Sequence, residues 1–182
     1  MARARSLVQA EIKQSKPFRS IAQEATIALL RTASVVGRTL ARTLEPWGLS
    51  LAQYNALRIV RGAGASGIAT LAIRERMIEE GTPITRVIDK LEAAGYLRRN
   101  RALPDRRQVL CYITPSGLRL LAEMDPAADA GDEDAVMALS DEELDTLVAL
   151  LDAIRLGNAD RGAPRTMLRS ERPALAASIP ST

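Results

Sequence analysis

The sequence predicts a mainly α-helical chain with one small β-hairpin, an α+β fold class. Three observations carry this. Ser20, Ser50 and Ser140 stand three residues before Gln23, Gln53 and Glu143, and apolar residues at helical spacing follow each pair. That arrangement is the capping-box signature of a helix start. Between Gly95 and Thr114 the period changes from 3.6 to 2 in a segment rich in β-formers. Thr82-Pro83 and Thr114-Pro115 each place a capping residue before proline, whose fixed φ suits the first helical turn.

In chain order, residues 1–19 contain Pro17 and no sustained apolar stripe, and read as an arm that gains order in an assembly. From Ser20 a helix of about 25 residues follows, with Ile21, Ala25, Ala28, Leu29, Val36, Leu40 and Leu44 on one stripe, and Pro46 stops it. Ser50 opens a second helix with Leu49 and Tyr54 at staple positions, and the small residues from Gly62 to Gly67 end it. A short helix fits Thr70 to Met77. After Glu79-Glu80-Gly81, Thr82 as N-cap and Pro83 start a helix with Ile84, Val87, Ile88 and Leu91 inward and Thr85, Arg86, Asp89 and Lys90 outward. Tyr96 to Arg101 and Gln108 to Ile113 form a hairpin around Leu103-Pro104-Asp105-Arg106. A helix through Leu118, Leu121 and Met124 follows, interrupted near Pro126. The last helix carries Leu144, Leu147, Val148, Leu151 and Ile154 and ends at Gly157. Residues 158–182 have no period and read as a tail.

Composition narrows the chemistry. The 182 residues include no histidine and one cysteine, Cys111, so imidazole catalysis, His-ligated metal and an internal disulfide are excluded. No apolar run reaches the roughly 18 residues of a membrane span. Five aromatic residues (Phe18, Trp47, Tyr54, Tyr96 and Tyr112) are too few for a base-stacking platform on single strands. Neither a phosphate-cradling glycine loop nor a cofactor motif is present. The expectation is a cytoplasmic binder rather than an enzyme, with no cofactor. Its net charge of +3 conceals opposed blocks: +6 over residues 1–42, +4 over 82–110 and −10 over 123–145. The basic blocks suit a polyanion, and the acidic one should face elsewhere.

The order of elements is that of a winged helix–turn–helix with extra helices at both ends. The outward face from Thr82 to Lys90 combines short polar groups with Arg86 and Lys90 four residues apart, the pattern of a helix that enters the major groove. Thr82, Pro83, Thr85, Arg86, Asp89 and Lys90 are therefore candidate DNA-contacting positions. A solvated face, with Arg86 and Lys90 paired to Asp89 or Glu92, is the competing reading. Arg106 and Arg107 at the hairpin tip can reach a minor groove, and Arg98 and Arg99 at its base are candidates for phosphate contact. Cys111 alternates with Val109 and Ile113 in a strand and reads as a small buried hydrophobe with apolar neighbours.

The blocks Leu49-Ser-Leu-Ala-Gln-Tyr54, Ile84-Thr-Arg-Val-Ile-Asp-Lys-Leu-Glu92, Gly95-Tyr-Leu-Arg-Arg99, Pro104-Asp-Arg-Arg107 and Ile113-Thr-Pro-Ser-Gly117 together resemble the MarR family of bacterial transcription regulators. The resemblance covers about residues 20–154. It implies a homodimeric repressor on a pseudo-palindromic operator, with dimerisation helices at about 20–45 and 115–157 around a DNA-binding lobe at about 50–113. It also implies that Arg107 enters the minor groove, that Asp105 supports the wing arginines or the recognition helix, and that a small organic effector releases DNA. Relatives that sense oxidants carry their thiol in the first helix, where this chain has none. Trp47 and Tyr54 are candidates for an effector pocket, with core packing as their competing role. A winged-helix protein–protein module that does not bind DNA is the alternative function.

Overall fold

The structure, a computed structural model, describes residues 6–101 and 109–162. The hairpin tip with Asp105, Arg106 and Arg107 lies outside the described residues, as do residues 1–5 and most of the tail. The described residues fall into two compact units, one ending at Ala135 and one beginning at Val136.

The first unit opens with a short helix, α1 (Leu7–Glu11), inside the segment expected to be an arm. Five residues are too few to show a period, and tertiary bonds hold it instead. Gln9 is buried, and its Nε2 donates to the Lys16 carbonyl at 3.1 Å. Glu11 pairs with Arg31 of α2 (Ile21–Leu44) at 3.2 Å. The Ser20 hydroxyl accepts from the Gln23 N–H at 3.1 Å, as the capping box requires. The Gln23 side chain reaches one residue further back, to the Arg19 N–H. Pro46 sits in a 3-10 turn, Glu45–Trp47, that closes α2. The Ser50/Gln53 box at the start of α3 (Leu51–Gly62) forms in both directions.

After α3 comes β1 (Ile68–Ala69), a strand of two residues below the length at which alternation can be read. Next are α4 (Thr70–Glu75), α5 (Ile84–Ala93), β2 (Leu97–Arg101) and β3 (Val109–Ile113). The sheet is antiparallel in the order β1-β3-β2, so the expected hairpin has a third strand on its open edge. Ile68 pairs with Cys111, Leu97 with Ile113 and Arg98 with Tyr112. The core lies where α3, α4 and α5 meet this sheet, and Leu57, Ile73, Ile88, Leu91, Leu97 and Cys111 are fully buried there. Each aliphatic side chain taken out of water contributes about 1.5–3 kcal/mol. This is a winged helix–turn–helix: α4 and α5 form the helix pair, and β2 and β3 form the wing.

Pro126 does not interrupt α6 (Pro115–Val136), contrary to expectation. Gly117, Leu121, Met124, Ala128 and Gly131 form a continuous buried stripe at spacings of four and three. Pro126 and Ala122, whose carbonyl loses its partner, lie on the exposed side, so water can take that bond. Burial of the stripe offsets the roughly 3 kcal/mol that proline costs inside a helix. Leu118, expected on this stripe, is exposed instead.

In the second unit, α7 (Asp141–Gly162) starts at the expected cap, with Glu143 Oε2 accepting from the Ser140 N–H at 2.9 Å. It continues past Gly157, because a glycine in a helix weakens it by about 1 kcal/mol without ending it. Its Val148, Leu150, Ile154 and Leu156 are exposed.

Gly117 shows how closely α6 meets the start of β2. A Cβ at that position would stand 2.2 Å from the Tyr96 carbonyl oxygen. Gly117→Ala should therefore destabilise the protein by about 1–3 kcal/mol, since backbone must move. Gly62→Ala, in open space at the end of α3, should be neutral or stabilising by up to about 1 kcal/mol. Urea denaturation of both variants checks the pair.

Candidate nucleic-acid interface

Helix α5 separates its two faces completely. Ile84, Val87, Ile88 and Leu91 are buried, while Thr85, Arg86, Asp89 and Lys90 are exposed. Thr82 departs from the expectation that it caps the helix. Pro83 is the N-cap, and no side chain bonds the helix end. Thr82 is only 9% exposed, and its hydroxyl donates to the Glu79 carbonyl at 2.8 Å. Closing the Glu79–Thr82 turn in this way engages the proton that an outward threonine would offer to a phosphate.

The carboxylates of α5 pair with the wing, not with their own helix. Arg99 Nη1 lies 2.7 Å from Asp89 Oδ1. Its Nε lies 2.7 Å from Glu92 Oε2, its Nη2 bonds that same oxygen, and its backbone N–H donates to Glu92 Oε1 at 2.9 Å. Period-2 alternation explains the geometry. Arg99 shares the inward face of β2 with buried Leu97, which brings its guanidinium under the end of α5. The Arg99 hydrogen bond, more than any other cause, holds the Glu92 carboxyl below its usual range. Among the described residues, Arg86 and Lys90 form no ion pair. The competing reading, in which Asp89 and Glu92 consume those two charges, does not match this geometry.

Arg98 points to the other face. Its guanidinium stacks on Tyr112, its cross-strand partner, at 4.5 Å from the ring centroid. One edge of that ring lies against Gly67, where a Cβ would come within 2.5 Å of it. Gly67 also has φ +67° and ψ 177°, a conformation open essentially to glycine alone. Gly67 just before β1, Tyr112 on β3 and Arg98 on β2 thus form one row.

The MarR family model matches residues 49–109. A Thauera aromatica protein described as a transcriptional regulator for the hcr operon is 31% identical over 133 residues, 72% of this chain and 79% of its own length. A MarR transcription factor from Planctomyces limnophilus is 33% identical, with 75% of this chain and 99% of that one covered, at a TM-score of 0.59. The chain belongs to the MarR family. Its fold is also that of BpsR from Bordetella bronchiseptica (TM-score 0.68, 24% identity, covering 77% of this chain and 98% of that one), a protein whose DNA binding is regulated by 6-hydroxynicotinic acid. MarR proteins are DNA-binding transcriptional regulators and not enzymes. No helix among the described residues is long and apolar enough to cross a membrane.

Within this MarR fold, Trp47 is half-buried against the core and Tyr54 is buried in it. The Tyr54 hydroxyl donates to Asp125 Oδ1 of α6 at 3.4 Å, and Arg61 forks onto the same carboxylate at 2.6 and 3.3 Å. Burial, above all, pushes the Tyr54 phenol up. Cys111 is fully buried, and burial also raises its pKa, away from the reactive thiolate. One neighbour is polar, contrary to expectation: Thr70 Oγ1 lies 3.7 Å from the sulfur.

Sequence reasoning missed Tyr112, Gly67, Arg61 and Asp125. Strand alternation could have paired Tyr112 with Arg98 had the register been known. The Arg61–Asp125 fork joins residues 64 apart and leaves no local signal.

A lowered Glu92 pKa stabilises the fold at pH above the ordinary glutamate range. The contribution disappears as the pH falls through the folded-state value, because protonation then removes the acceptor of Arg99. Glu92→Gln should cost about 1 kcal/mol at neutral pH and should flatten the acid limb of stability against pH. Chemical denaturation between pH 3 and 7 measures both effects.

Proposed function

We propose that this MarR regulator is a homodimeric repressor that binds a pseudo-palindromic site in double-stranded DNA, with α5 in the major groove. The observation that carries the reading is the free outer face of α5, where Thr85, Arg86 and Lys90 are exposed while Asp89 is already held by Arg99. Arg86 can take a guanine bidentately, and Lys90 one turn on can meet a phosphate. Arg107 of the wing, with Arg106 beside it in sequence, enters the adjacent minor groove, Asp105 supports the wing arginines or the recognition helix, and Arg98 at the wing base meets the backbone.

Dimerisation is supported by apolar surface that the winged helix does not use. Leu30 of α2 is 66% exposed, with Ile21 and Val35 also exposed. On α7, Leu150 is 57% exposed beside Val148 and Ile154. A two-fold dimer covers such exposed apolar residues and sets two recognition helices about 34 Å apart, one turn of DNA. The domain division follows: a DNA-binding lobe at about residues 50–113 between dimerisation helices. An organic effector that favours a dimer with wrongly spaced recognition helices would lower DNA affinity, with Trp47 and Tyr54 near its pocket.

The test is selection of sites from random DNA, followed by anisotropy titration on the recovered duplex. The recovered motif should be pseudo-palindromic, and light scattering should give twice the monomer mass. Arg86→Ala should cost about 1–3 kcal/mol and relax preference at one base position. Lys90→Ala should lower the salt slope by about 0.9. A protein that shifts no duplex at low salt would instead be a docking module.

A further inference from the structure

Asp89 presents a problem for a DNA-reading helix. It is a carboxylate on the exposed face, between Arg86 and Lys90 in sequence and within a turn of each. Left alone, it would oppose phosphates and compete for both cations. The structure places the Arg99 guanidinium on it, from a strand and not from α5 itself.

We infer that Arg99 is a positioning residue for DNA recognition: it neutralises Asp89, frees Arg86 and Lys90 to meet DNA, and locks the wing to the reading helix. This rests on the DNA-binding reading above and deepens it. It also changes the role expected of Arg99, which the sequence offered as a phosphate contact. Four features support the assignment. Arg99 engages two carboxylates at once, so its donors are directed into the protein. Its side chain is 31% exposed, against 51% for Asp89, so the acid and not the base lies nearer solvent. Its backbone N–H also bonds Glu92, which anchors β2 as well as the side chain. Arginine suits the task because its planar fork can bond two acids in fixed directions, whereas an ammonium meets them as a single point charge.

The assignment separates from a phosphate contact by salt dependence, and from a purely structural role by rescue. The full chain is titrated onto the duplex it selects from random DNA, at several KCl concentrations. Arg99→Ala should weaken binding about tenfold, and any fall in salt slope should be reversed by Asp89→Asn because it comes from Asp89 holding Lys90. Loss of a phosphate contact made by Arg99 itself would instead lower the slope by about 0.9 in either background. Adding Asp89→Asn to Arg99→Ala should restore affinity to within about threefold of wild type, since the liberated acid is then gone. Asp89→Asn alone completes the cycle, so that the loss caused by Arg99→Ala is read with and without the acid. Should Arg99→Ala not fold, Arg99→Lys is read in its place. It should show a smaller loss, again relieved by Asp89→Asn.

A slope that stays about 0.9 below wild type in the Arg99→Ala/Asp89→Asn double variant, or a folded Arg99 variant that Asp89→Asn does not relieve, overturns the inference. Its failure is distinguishable from failure of the DNA-binding reading. Wild-type protein that binds no duplex defeats that reading. Wild-type protein that binds and is weakened by Arg86→Ala, with no rescue at Asp89, defeats only the role given to Arg99.

Discussion

The fork of Arg99 onto Asp89 and Glu92 is the contact on which the placement of α5 against the wing depends. Helix α5 exposes half its surface and, apart from this fork, is held to the protein by its inner stripe. In α5 that stripe is four residues, Ile84, Val87, Ile88 and Leu91. Such packing resists separation but resists rotation and sliding poorly, because hydrophobic contact is non-directional. Charge-assisted hydrogen bonds are directional. Three from the Arg99 side chain and one from its backbone fix the outer turn of α5 against β2. The same bonds use up the acids of the helix, so geometry and electrostatics are settled together.

A second polar joint works at the other side of the core. Asp125 of α6 receives Arg61 and Tyr54 of α3, and the buried stripe of α6 continues on both sides of it. Pro126 follows directly, and the helix nevertheless persists. A local rule, that proline ends helices, gives way where a stripe of five buried positions holds the turns on either side. At Gly117 the same helix approaches the Tyr96 backbone so closely that no side chain fits. Glycine in the Thr-Pro-Ser-Gly block is therefore a packing requirement as well as part of a family resemblance.

Most helices were legible because their signals are local. Caps at Ser20, Ser50 and Ser140 bond the residues three positions on, so each announces itself within a few letters. The inner and outer faces of α5 follow from a 3.6-residue period over ten residues. The short elements were not legible. α1 and β1 are five and two residues long, and distant partners hold them: Arg31 for the first and the pairing with Leu110 and Cys111 for the second. Thr82 shows the limit at a single residue. Its place before proline argues for a cap, yet its hydroxyl closes the turn from Glu79.

Residue order alone thus established a winged helix–turn–helix, its basic outer helix face and the absence of imidazole chemistry and of histidine-ligated metal. Each of these depends on periodicity, charge or composition, which are properties of short stretches or of the whole count. Which charges pair with which could not be read that way. Asp89 had Arg86 and Lys90 as neighbours in sequence, but the strand carrying Arg99 returns beneath the helix and takes the acid from both. Tyr112 likewise became the support of Arg98 only when the β3 register set the two side by side. Ion pairs and stacks are chosen by distance in space, and a folded chain sets those distances only after every element has docked.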